Sequence, residues 1–204
     1  MGIPVLILGE SGSGKSTSLR NFDPEEVAIY NIAGKPLPFR RGKEMHCANH
    51  PSYTQIMKSM AKKQFKTYVI DDSQYLLCFE LFNRSSESGY AKYTEMAMHF
   101  YQLIQFVIRS MPDDCIVYFL HHTDTADGKT KAKTVGKMLD EKLTVEGLFS
   151  IVLMAFNNDG THGFLTQSNG NDTVKSPMEM FDQVEIDNDL KMVDDTIREY
   201  YNLK

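Results

Sequence analysis

Short apolar runs alternate with helical stripes along this chain. Residues 3–8 (Ile-Pro-Val-Leu-Ile-Leu), 27–32, 67–70, 115–120 and 148–155 are nearly unbroken apolar runs of strand length. Runs of that kind mark strands buried on both faces, as parallel sheets require. Between them, apolar residues recur at helical spacing. Tyr53, Ile56, Met57 and Met60 follow a capping Ser52. Tyr93, Met96, Phe100, Leu103, Ile104 and Val107 run up to Met111-Pro112. Leu190, Val193 and Ile197 continue to Tyr200 or Tyr201. Asn157-Asn158-Asp159-Gly160 predicts the turn of a C-terminal antiparallel hairpin with residues 162–166. Pro177 predicts the first position of a short helix through Phe181. Strands alternating with helices give an α/β fold of three layers around a mainly parallel sheet, one domain over residues 1–204.

The first run leads into Gly9-Glu10-Ser11-Gly12-Ser13-Gly14-Lys15-Ser16-Thr17, with a predicted helix behind it. A strand, then Gly-x-x-x-x-Gly-Lys-Ser, then a helix is the P-loop arrangement of nucleotide-binding proteins. Glycines let successive N–H groups aim inward as an anion nest, and a helix N-terminus adds partial positive charge. Residues 9–17 are therefore the nucleotide-binding candidates. Lys15 is assigned to the β- and γ-phosphates and the Ser16 hydroxyl to Mg²⁺.

The run at 67–70 ends in Asp71-Asp72, as a P-loop enzyme needs opposite its phosphate loop. Asp71 is the candidate for holding a Mg²⁺-bound water. Two readings stand for Asp72: it polarises the attacking water, or it caps a helix over 74–82. Glu80 is a fallback base. The run at 115–120 ends in His121-His122. If that strand lies between the P-loop strand and the Asp71 strand, one histidine, His122 for choice, senses the γ-phosphate. Otherwise the pair simply meets backbone carbonyls. Residues 127–137 hold Lys129, Lys131, Lys133 and Lys137 among small and hydroxyl residues. They read as a flexible loop, either plainly solvated or contacting a single-stranded DNA backbone. His46, Cys47 and His50 lie close together but lack the second ligand pair of a structural zinc site.

The net charge of −5 means that any nucleic-acid contact must come from a local patch. Three scattered cysteines argue for a reducing compartment. No apolar run reaches the length of a membrane span, and the N-terminus lacks the features of a signal peptide.

The chain resembles the small RecA-like ATPases of bacteriophages, AAA-domain ATP-binding proteins linked to single-strand DNA annealing and recombination. The stretches that carry the likeness are residues 9–17, 34–39, 69–72, 121–122, 136–142 and 175–181. The resemblance implies a RecA-like core, Mg-ATP binding and hydrolysis, single-stranded DNA as partner, and a phage protein at work in the host cytoplasm. It departs from full recombinases at Asn31, where a RecA-type enzyme carries its catalytic Glu, and this moves the base to Asp72. A homo-oligomer is then the expected source of a completing cation, with Lys35, Arg40, Arg41 and Lys142 as candidates. Two alternatives remain. A nucleotide or small-molecule kinase needs arginines in a closing lid, and residues 127–137 have none. A regulatory ATP-binding module needs little turnover.

Overall fold

In the computed structural model, which describes residues 1–203 apart from the side chains of Asp140 and Glu141, β1 (Ile3–Gly9), β2 (Val27–Asn31), β3 (His46–Asn49), β4 (Thr67–Asp71), β5 (Ile116–Ala126), β6 (Lys129–Ala132), β7 (Ile151–Asn158), β8 (Thr161–Leu165) and β9 (Glu185–Asp187) form one sheet. Its order is β3-β2-β4-β5-β1-β7-β8-β9, with β6 hanging from β5. The pairs from β3 to β7 are parallel, and β7-β8, β8-β9 and β5-β6 are antiparallel. The predicted mainly parallel sheet and its C-terminal hairpin are both present. The short edge strands β3 and β9 have no strong apolar run, and the sequence does not announce them.

Alternation along β1 divides the core. Leu6 and Leu8 face α1 (Tyr53–Met60), α2 (Gln74–Asn83) and α3 (Ala91–Ser110), whereas Val5 and Ile7 face α4 (Leu190–Tyr200) and the short helix after the P-loop. Burying both faces is what makes these strands read as continuous apolar runs.

α1 begins as its sequence indicates. Ser52 Oγ accepts from Gln55 N–H, and Gln55 Oε1 accepts from Ser52 N–H at 2.8 Å. Ser52→Ala should therefore cost about 1 kcal/mol of stability, read from the urea midpoint, with no change in ligand binding. An unchanged midpoint would show that the reciprocal cap carries no weight.

Four expectations are corrected here. Residues 127–137 do not form a flexible loop: Lys129–Ala132 pair antiparallel with the extended end of β5. Asp127 and Gly128 both have positive φ, 51° and 74°, as a two-residue hairpin turn demands. The arm is also tied down, since Ala132 N–H donates to buried Glu146 at 2.7 Å and Thr130 N–H donates to Asn171 O at 2.8 Å. Residues 176–181 make turns instead of a helix. The α4 stripe buries Leu190, Val193 and Ile197 but stops before Tyr200 and Tyr201, which are exposed. Finally, the helix after the P-loop is one six-residue 3-10 segment, Ser16–Asn21. No helix among the described residues is long and apolar enough to cross a membrane.

Candidate functional site

The carboxyl ends of β1, β4 and β5 meet at one edge of the sheet, where open α/β sheets bind ligands. β5 lies between β1 and β4, and its register sets His122 beside Gly9. That placement brings residues 9–17, Asp71, Asp72 and His122 into one cluster.

The loop turns through Gly12 and Gly14, at φ 81° and 99°. Its amides are largely uncommitted. Ser13 N–H bonds Glu10 O, whereas the N–H groups of Ser11, Gly12, Gly14 and Lys15 have no hydrogen-bond partner among the described residues. The Ser13 hydroxyl is buried inside the loop and likewise without a partner. These unsatisfied donors fit an anion. With only one short 3-10 helix behind the loop, the helix dipole contributes less than the sequence suggests. The amides and Lys15 must supply most of the positive potential. Glu10 and Ser11 stand exposed at the crest, and Thr17 is half-buried. From behind, His162 Nδ1 donates to Ser13 O at 3.1 Å and Asn188 donates to Gly14 O at 3.3 Å. Neither brace has a sequence signal, because both arrive from distant elements.

Lys15 is buried, and its ammonium donates to Gly9 O at 2.7 Å and Glu10 O at 2.8 Å. Burial lowers its pKa to about 8, against the opposing pull of Asp72 and Asp71. Ser16 Oγ donates to Asp71 Oδ1 at 2.8 Å. Burial, and then repulsion from Asp72, push the Asp71 carboxyl up to about 6. A hydroxyl and a carboxylate side by side are hard oxygen donors. They suit Mg²⁺, which keeps waters and substrate phosphates as its other ligands.

Asp72 is not a helix cap. The residue before α2 is Ser73, and its side chain makes no capping bond. Asp72 itself sits in the left-handed region at φ 59°, a conformation that Asp tolerates better than most residues. Its carboxylate is gripped by Lys35 Nζ at 2.7 Å and by His122 Nε2, which donates at 3.1 Å. Burial alone would raise its pKa; these two donors together outweigh burial and bring it down to about 2. A carboxylate held that low is a weak base.

The two histidines part company. His121 is fully buried: its Nε2 donates to Lys133 O at 2.8 Å, and its Nδ1 accepts from Ser73 Oγ at 2.8 Å. Burial lowers its pKa to about 4, so it is neutral and structural. His122 points to the site, its ring edge-on to Tyr75.

Lys35, expected to reach a neighbouring subunit, lies instead in the same chain's site. Asn31 is committed to the β2 loop, donating to Lys35 O at 2.6 Å and accepting from Gly34 N–H at 2.9 Å. Arg41 pairs with Glu44, and Lys142 is exposed. Glu80 on α2 is engaged by Arg84, just past the end of that helix, and by His99 on α3.

The β5-β6 arm overhangs the loop. Thr123 and Thr130 line a cleft of about 460 Å³ with Gly9, Glu10, Ser11, Gly12 and Ser13. Lys131 sits across from Asp124 on the arm, and Lys129, Lys133 and Lys137 are exposed. A larger cavity, about 810 Å³, is lined by Ile3, Pro4, Ile108 and Leu148 at the opposite edge. It holds none of these groups.

No protein-family model matches the chain, and no curated protein does. Among solved structures, the chain is similar to the P4 protein from bacteriophage phi6 in complex with ADP, with a TM-score of 0.44 and 15% identity. The match covers 83% of this chain and 56% of the other, little more than half of that protein's length.

Proposed function

We propose that the chain binds Mg-ATP in the residue 9–17 loop and hydrolyses it slowly, in the service of single-stranded DNA. The observation that carries the nucleotide half is the Ser16–Asp71 contact. It joins the loop to the acid across the intervening strand, in the arrangement that phosphoryl-transfer sites use.

The loop amides and Lys15 would hold the phosphates. Ser16 would ligate Mg²⁺ directly and Asp71 through water. The metal, when bound, neutralises charge on the β- and γ-phosphates. Hydrolysis joins a water oxygen to the γ-phosphorus and breaks its bond to the bridging oxygen, leaving ADP and phosphate. Asp72 and His122 are the groups we assign to take up that water's proton, with Asp72 fixing the His122 ring through its Nε2–H. Because Asp72 is so weak a base while clamped, and Asn31 is committed to its loop, slow basal turnover is expected. That property also favours the regulatory-module reading over a kinase, whose lid would need arginines.

The DNA half rests on the arm. Its threonines face the phosphate loop, and exposed Lys129 on the arm and Lys133 just after it are suited to backbone contacts without base readout. ATP turnover should rise with single-stranded DNA and that rise should fade with salt. Turnover assays with sizing of the assembled species check both points. ATPase activity indifferent to DNA, with no retention of DNA at low salt, removes the DNA half alone.

A further inference from the structure

The loop after β2 is built to present one lysine. Asn31 pins it at Gly34 and Lys35. His50 Nδ1 donates to Ile32 O at 3.3 Å, and its ring occupies the space that a Cβ on Gly34 would need. Gly34 also has a φ of 66°, so only glycine fits there without strain. The backbone bracket is therefore fixed, while the side chain it carries is 63% exposed. The Lys35 ammonium lies 2.7 Å from Asp72 and 5.7 Å from the centre of the Tyr75 ring. Asp72 follows Asp71, whose Oδ1 accepts from Ser16 Oγ at 2.8 Å, so the Lys35 ammonium lies at the edge of the pocket proposed for the phosphates.

We propose that Lys35 is a γ-phosphate sensor acting within its own chain: without a triphosphate it latches Asp72, and with one it swings to the terminal phosphate and leaves Asp72 to His122. This rests on the Mg-ATP reading above. A terminal phosphate carries about two negative charges against one on Asp72, so it is the stronger partner. A compact charge on a flexible stem is suited to changing partners. ADP has no γ-phosphate and its β-phosphate stays in the loop held by Lys15, so the latch stays closed. The arrival of ATP would itself free Asp72 from one of its two partners. No cation from a second subunit is then required.

Calorimetry on the full chain with Mg²⁺ and either AMP-PNP or ADP tests this. Lys35→Ala should weaken AMP-PNP about tenfold, the loss of one charge-assisted hydrogen bond, and change ADP by less than about twofold. Lys35→Arg should keep most of the difference. Asp72→Asn, which opens the latch, should tighten AMP-PNP but not ADP, and that gain should vanish when Lys35→Ala is added. Lys35→Gln, with melting of each ligand-free variant, separates loss of the cation from loss of the fold. Equal losses for both nucleotides, no loss for either, or an Asp72→Asn gain that survives without Lys35 would each overturn the latch while leaving Mg-ATP binding intact. A wild-type chain that binds neither nucleotide would overturn both.

Discussion

Lys15→Ala should remove most of the stabilisation expected from Mg-ATP. In the wild-type chain, ATP at about 100 times its Kd should raise the unfolding free energy by roughly 2.7 kcal/mol. The variant should show no more than about 0.4 kcal/mol at the same concentration. The reason lies in how Lys15 is held: its ammonium is buried against Gly9 O and Glu10 O, so it is already desolvated and fixed beside the uncommitted amides. Two charge-assisted hydrogen bonds to phosphate lost together amount to about a hundredfold or more in affinity. A pH signature accompanies this. Burial has lowered the Lys15 pKa to about 8 in the ligand-free protein. Below that value Lys15 is ready to meet an anion; above it, binding must take up a proton. ATP affinity should therefore fall as pH rises through about 8, and the variant should lack that slope. An ATP-dependent shift that survives in full in Lys15→Ala would mean that the nucleotide binds elsewhere.

The second large effect pulls stability and activity apart. Asp71→Asn should cut ATP turnover at least about a hundredfold while making the ligand-free chain more stable at pH 7. Burial first, and then Asp72, raise the Asp71 carboxyl from 3.8 to about 6. The folded protein then binds this proton more tightly than the unfolded chain does. Between pH 4 and pH 6 the unfolded state holds fewer protons, so stability falls as pH rises through that window and stays low above it. Asparagine removes the buried charge and keeps an oxygen for the Ser16 hydroxyl. The gain at pH 7 should be up to about 3 kcal/mol and should disappear near pH 4. Urea unfolding at the two pH values, beside a turnover assay, measures both arms. A loss of stability at pH 7 would show that Asp71 is not held against its own burial. Strained acids of this kind are what a metal-ready site accepts in exchange for function.

Much of this was readable from residue order. The apolar runs at 3–8, 67–70 and 115–120 became β1, β4 and β5 because parallel strands buried on two faces have no polar side to display. The Ser52 cap and the 157–160 turn were legible because their chemistry is local. The arm at 129–132 was misread although Asp127-Gly128 is a hairpin signal. Its lysines and threonines lack apolar alternation, and the strand is held by pairing with β5 and by Glu146. The short helix expected at 176–181 is absent because Glu179 sits in the left-handed region at φ 63°, which breaks the turn that Pro177 could start.

The cluster itself divides in the same way. Chain order alone determined the glycine turn, its lysine, the hydroxyl after it and the acid at the end of an apolar strand, since each depends on neighbours a few positions away. Only the packed molecule decided which histidine faces the site, that Asp72 is clamped between His122 and Lys35, and that His162 and Asn188 brace the loop. Those contacts join segments up to 174 residues apart. Strand order and burial set them, and neither is encoded in any one stretch of sequence.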